Sequence, residues 1–286
     1  MKTHAAMKKN LIILAIMATL LGSCGAGSAR GRNIPAEPET EILFRTTMGN
    51  IRIKLYNETP EHRFNFVRLV DEHYFDSLLF HRVIRDFMIQ AGDPESKGAD
   101  KGTRLGAGGP GYTLPAEFIY PQYYHKRGAL SAARQADQVN PDRRSSGSQF
   151  YIVTGRKYRE SELRDMEKQL QQQEEQSIFN TLCMENRELI VRMQNDNDDE
   201  GLMKLQKQLN EKLDSIVSLK GKFHFTDEQV KTYEKVGGTP FLDNQYTVFG
   251  EVIEGMEIVD KIQKVRTDEN DRPEDDVMII STEVVK

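Results

Sequence analysis

The stretch from 80 to 94, Phe-His-Arg-Val-Ile-Arg-Asp-Phe-Met-Ile-Gln-Ala-Gly-Asp-Pro, constrains the fold more than any other part of the chain. Its apolar residues Phe80, Val83, Ile84, Phe87, Met88 and Ile89 follow neither a helical nor a strictly alternating period, the pattern of strands covered on both faces. Inside this run stands Arg82, whose guanidinium stays charged at any accessible pH, together with Gln90. Burying an unpaired cation is costly, so Arg82 should line a surface. Taken alone it would read as an arginine reaching out of its strand to a carboxylate.

Two further blocks change that reading. One is Gly147-Ser148-Gln149-Phe150-Tyr151-Ile152, and the other is Phe241-Leu242-Asp243-Asn244-Gln245-Tyr246-Thr247-Val248-Phe249-Gly250. Together with 80 to 94 they resemble the signature of the cyclophilin-type peptidyl-prolyl isomerases, and the resemblance covers 40 to 155 and 238 to 286. It implies a mainly β fold: a closed eight-stranded antiparallel β-barrel capped by two helices. By resemblance the catalytic residues are Arg82, Phe87 and Gln90. The substrate-binding residues are Met88, Ala133, Arg134, Gln149, Tyr151, Phe241, Leu242 and Tyr246. Gln90 and Gln149 match groups that hold Arg82 and the substrate backbone, and Ala133 and Arg134 match a backbone-binding strand edge. Tyr151, Phe241 and Tyr246 stand where the family has Phe, Trp and His, and Arg134 where it often has Asn. A tyrosine keeps the apolar contact of the ring and adds a hydroxyl. Cofactor and metal are both expected to be absent, because the implied reaction needs neither. His81 and His125 are read as structural, since no proton is transferred.

The local patterns agree. The segments 41 to 46 and 50 to 56 alternate around a turn at 48 to 50 and predict a hairpin. Thr59-Pro60-Glu61 opens a helix whose apolar face is Phe64, Val67, Leu69 and Val70. The stretch 74 to 92 reads as strand, 95 to 112 as a glycine-rich loop without a phosphate-binding ending, and 127 to 133, 149 to 154, 247 to 252 and 277 to 285 as further strands. A helix is expected over 255 to 265.

Between the two halves of the barrel, 156 to 237 reads as an inserted α-helical hairpin. Leu163, Met166, Leu170, Phe179, Leu182, Leu189, Ile190 and Met193 form one stripe at helical spacing. After a polar break, Leu202, Leu205, Leu209, Leu213, Ile216 and Leu219 form a second. Thr226 with Gln229 predicts a capped third helix that Gly237 and Gly238 stop. The insertion is either a hairpin packed beside the barrel or a lid or client-binding arm next to the pocket.

The beginning of the chain differs. Lys2, Lys8 and Lys9 precede an apolar run from 11 to 21, too short to span a membrane, followed by Gly22, Ser23 and Cys24. Residues 1 to 23 read as a lipoprotein signal, Cys24 as the lipidated residue, and 24 to 40 as a flexible tether. Either Met1 or Met7 serves as the start. The implied address is the bacterial cell envelope, facing the periplasm from the outer membrane. With a net charge of −5 and dispersed basic residues, nucleic acid is excluded as a partner. The expected partners are proline-containing polypeptides, unfolded exported proteins, and the membrane through the lipid. The alternative function is a chaperone-like or partner-binding module with little catalysis.

Overall fold

A hairpin of two alternating strands starts the ordered architecture. The computed structural model describes residues 38 to 286; the signal segment, Cys24 and nearly all of the tether lie outside them. Strands β1 (Thr40–Thr46) and β2 (Gly49–Leu55) pair with Ile42 opposite Ile53 and Phe44 opposite Ile51. Alternation sends these four to one face, where they join Leu55 in the main core. Each such burial contributes about 1.5 to 3 kcal/mol.

Helix α1 (Pro60–Asp71) lays His62, Phe66, Leu69 and Val70 against that core. Phe64, expected on the same face, is instead 63% exposed. It sits two residues from both His62 and Phe66, about 200° around the helix, so a helix that buries them must expose it. The expected strand over 74 to 92 is also broken. Turns occupy 72 to 77, with His73 and Ser77 at positive φ, and a tight turn with Asp86 at φ 58° separates β3 (Arg82–Ile84) from β4 (Met88–Ala91).

The remaining strands are β5 (Thr113–Leu114), β6 (Ala129–Ala132), β7 (Ser145–Ser146), β8 (Phe150–Val153), β9 (Val248–Glu254) and β10 (Ile279–Val284). Eight of them form one antiparallel sheet in the order β10-β1-β2-β9-β6-β8-β4-β3, and β5 pairs with β7 alone. The closed barrel expected from the sequence is therefore corrected to an open half-barrel with β10 and β3 as its ends. The physical reason is the turn region before β3, which leaves no strand there to complete a ladder. Only an isolated bridge, Leu79 to Met278, and bonds such as Phe80 N–H to the Val277 carbonyl (2.9 Å) cross the gap.

Six α-helices are present among the described residues. Helices α1 and α6 (Met256–Ile262) supply core residues from opposite ends of the sequence. The other four lie between β8 and β9: α2 (Glu160–Glu185), α3 (Arg187–Asn195), α4 (Asp199–Lys220) and α5 (Asp227–Lys235). Ion pairs of Glu174 with Lys220 and of Glu185 with Lys212 run α4 antiparallel to α2. Leu182, Leu205 and Leu209 are buried between them, whereas Leu219, expected in that stripe, is 90% exposed at the end of α4. Thr226 and Gln229 make the predicted reciprocal cap on α5.

Candidate active site

Residues directly opposite each other in antiparallel strands point to the same face. Arg82 on β3 lies opposite Gln90 on β4, and Gln90 lies opposite Tyr151 on β8. These three side chains form one row across the sheet. Their neighbours Val83, Ile89, Ala91, Phe150 and Ile152 point the other way, into the main core. This two-sided burial explains why 80 to 94 shows no clean alternation.

The row borders a cavity of about 150 Å³ lined by Arg82, Phe87, Met88, Gln90, Ala133, Arg134, Tyr151, Leu242 and Tyr246. Phe87, Met88, Ala133 and Leu242 give the wall its apolar part, polar groups supply the larger share of its surface, and of the two guanidiniums that line it Arg82 is 44% exposed and Arg134 only 3%. Arg82 is held by Asp271, whose Oδ2 accepts from Nε at 3.3 Å, and the Asp271 carbonyl accepts from the Val83 N–H at 2.8 Å. Gln90 does not bond to Arg82. Its amide donates to Gln149 Oε1 at 2.9 Å, while Gln149 donates to the carbonyls of Gly106 and Gly108. Buried Asp93 fixes that glycine loop by accepting from the Gly106 and Gly108 N–H groups. The expectation that these glutamines hold Arg82 and the substrate backbone is corrected in its first part: they bond to each other, and Asp271 holds the cation.

Arg134 has a side chain only 3% exposed, lying 4.4 Å over the Tyr246 ring and donating to the Gln245 carbonyl (2.8 Å) and to Asp137 (2.5 Å). Ala133 uses its own N–H and carbonyl within the protein, bonded to Gln149 and Ser146. Phe241 does not line the cavity; its ring rests 5.7 Å from that of Phe87 and braces it from outside. Gln149 also stands behind the wall.

Beneath the cavity runs a chain of buried polar contacts. The carboxylate of Asp243 accepts from the His125 backbone N–H (2.8 Å) and from its ring Nδ1 (3.0 Å). With that proton on Nδ1, Nε2 accepts from the Tyr151 hydroxyl at 3.0 Å. The second oxygen of Asp243 accepts from the Tyr233 hydroxyl of α5 at 2.6 Å. Burial pushes the Tyr151 phenol well above its ordinary range, so it remains a donor. Asp271 and Tyr233 escaped sequence reasoning because both lie outside the matching blocks. Asp243 stood inside one, and the extra hydroxyl of Tyr151 was the signal that a buried partner, here His125 backed by Asp243, must exist.

Comparison with known proteins decides the family. Residues 41–284 match the model of the cyclophilin type peptidyl-prolyl cis-trans isomerases. The chain belongs to that family. This cyclophilin is 28% identical over 251 residues to a protein of Staphylococcus saprophyticus named as a peptidyl-prolyl cis-trans isomerase, covering 87% of this chain and 93% of the relative. It is 27% identical over 246 residues to the peptidyl-prolyl cis-trans isomerase CYP71 of Arabidopsis thaliana, covering 86% of this chain and 24% of that one. Its fold is similar to the crystal structure of a Cryptosporidium parvum cyclophilin type isomerase, with a TM-score of 0.50 at 19% identity, covering 87% of this chain and 99% of that chain. The cyclophilin is an enzyme that interconverts the cis and trans forms of peptide bonds preceding proline.

Proposed function

We propose that this cyclophilin accelerates the isomerisation with Arg82 and uses it to assist the folding of exported proteins. A prolyl amide twists out of plane against a barrier of about 18 to 20 kcal/mol. In the twisted state resonance is lost and the proline nitrogen becomes pyramidal and basic. A site that prefers this state to either planar form lowers the barrier, and a thousandfold acceleration asks for about 4 kcal/mol of preference. The apolar wall of Phe87, Met88, Tyr151 and Leu242 suits the proline ring, while the Arg82 guanidinium faces the nitrogen and Gln90 the flanking carbonyl. The observation that carries this reading is the row of Arg82, Gln90 and Tyr151 on one face, with the cation of Arg82 beside the side chains of Phe87, Met88 and Leu242 in one cavity.

Arg82→Ala is expected to lower kcat/KM on a short Xaa-Pro peptide by about a hundredfold or more, with circular dichroism unchanged. Wild-type rates in that variant would overturn the role of Arg82. The envelope address rests on the leader and Cys24: Cys24→Ala should abolish labelling by a radioactive fatty acid and release the protein from the membrane fraction.

A second reading has its own observation. Met184, Val191, Met203 and Leu219 of the helical segment 156 to 237, which we read as an insertion, are exposed apolar side chains. They favour an arm that also holds unfolded chains, in addition to catalysis.

A further inference from the structure

The helical arm closes a second cavity, of about 180 Å³, against the rim of the prolyl pocket. Its apolar lining is Leu170 of α2 and Phe223 of the link to α5, and its neutral polar lining is Gln173, Ser177, Asn244 and Gln245. The charged groups beside them are satisfied by neighbours. Asp137 binds Arg143 at 3.1 Å, Glu174 binds Lys220, and Asp243 is held by His125 and Tyr233. A charged ligand would find no free counter-charge here. Amides and a hydroxyl beside a small apolar patch offer both donors and acceptors to a peptide backbone and shelter to one apolar side chain.

The two cavities share a ridge. Gln245 lines the second cavity and its neighbour Tyr246 lines the prolyl pocket, so one Cα step of about 3.8 Å separates the walls. Arg134 pins this ridge by lying over the Tyr246 ring, donating from Nε to the Gln245 carbonyl at 2.8 Å and reaching Asp137 on the far side. An extended chain advances about 3.3 Å per residue, so a polypeptide crossing the ridge enters the second cavity within a few residues of its proline.

We propose that the second cavity is a flanking subsite, which takes an apolar side chain of the polypeptide substrate a few residues away from the isomerised Xaa-Pro bond. The proposal rests on the prolyl pocket being the place of isomerisation. The helical arm then acts in substrate choice: it supplies one wall of a groove that an isolated dipeptide cannot fill, and it favours long chains with exposed apolar residues near proline.

The test compares, on the full chain, a tetrapeptide with one Xaa-Pro bond and peptides extended by about six residues bearing leucine, on the amino or the carboxyl side. KM for exchange and Kd by calorimetry are both measured. Extension on one side is expected to lower both constants by about tenfold. Ser177→Trp fills the groove from the surface of α2 and should abolish that gain. Lys168→Trp, about 180° around the same helix, should keep it. Equal constants for short and extended peptides in the wild type would overturn the subsite, as would a Ser177→Trp loss that is equal for both lengths. Absence of exchange with every peptide would instead count against the prolyl pocket, and the Kd ratio would still decide the subsite.

Discussion

His81, the residue before the proposed catalytic cation, carries a pH response without taking part in the reaction. Burial drives its pKa down from the ordinary 6.5 to about 4, with Asp93 opposing the shift only in part. The unfolded chain takes up a proton below about pH 6.5 and the folded one only near 4, so this contribution to stability is complete above that window and shrinks as pH falls through it. At about 1.4 kcal/mol per unit the loss approaches about 3 kcal/mol at the acid end. Urea midpoints measured between about pH 7 and 4.5 should decline, and His81→Gln should flatten the decline; an equal slope in the variant would exclude His81 as its source. Asp271 makes the opposite kind of contact. Its pair with Arg82 is about two-fifths exposed on both sides, so screening leaves it worth under about 1 kcal/mol of stability. Asp271→Gly, which suits the φ of 63° at this position, is expected to change the melting temperature little while lowering kcat/KM about threefold to tenfold by freeing the guanidinium. An unaltered kcat/KM would show that Asp271 does not orient Arg82.

Among the elements, α5 reaches furthest into the site. Its Tyr233 is fully buried and satisfies the second oxygen of Asp243, whose first oxygen holds His125 and, through it, Tyr151. Removing that hydroxyl leaves a buried carboxylate oxygen without a donor, at a cost of about 1 to 3 kcal/mol. Tyr233→Phe should therefore lower the denaturant midpoint with an unchanged m-value; an unfolding free energy within about 0.3 kcal/mol of wild type would mean the oxygen finds another partner. The ends of the arm meet where backbones touch. Gly238 bridges to both Lys126 and Arg156, and a Cβ on Gly155, at φ 45°, would lie 2.3 Å from the Gly238 carbonyl oxygen. Gly155→Ala is expected to destabilise by more than about 1 kcal/mol by forcing these strands apart, read in the same titration.

At the scale of the whole molecule, the helical segment leaves and returns at one point on the half-barrel, which is why it can be long without disturbing the strand order. Glu174 and Lys220 are ion-paired, so a short linker can replace 175 to 219 and still keep α5 and its contact with Asp243. The shortened chain should isomerise a short Xaa-Pro peptide within about twofold of wild type, since nothing in 175 to 219 lines the prolyl cavity. Protection of an aggregating client protein should fall if the exposed methionines and leucine of the arm bind unfolded chains. Loss of short-peptide exchange would mean that the arm shapes the prolyl pocket from a distance.

Much of the site was legible through the family resemblance, because the motifs that carry it, a cation set in a two-faced apolar run and two short blocks, are local facts. Seven residues of that run and those blocks converge on one cavity, joined by Ala133 and Arg134, which the family resemblance supplied, and the hairpin, α1, the capped α5 and the paired stripes of the arm follow from spacing and capping that neighbours along the chain enforce. What the sequence could not decide is what depends on residues brought together from afar. Whether the sheet closes turned on backbone geometry at 73 to 77, and the exposure of Phe64 on which of two possible faces α1 buries. Arg82 waited for Asp271, 189 positions away, and the Tyr151 hydroxyl for a relay ending on Tyr233. Periodicity records which side chains must be covered; only the folded chain determines which polar atoms meet, because a hydrogen bond is set by distances of a few tenths of an ångström that no spacing along the sequence contains.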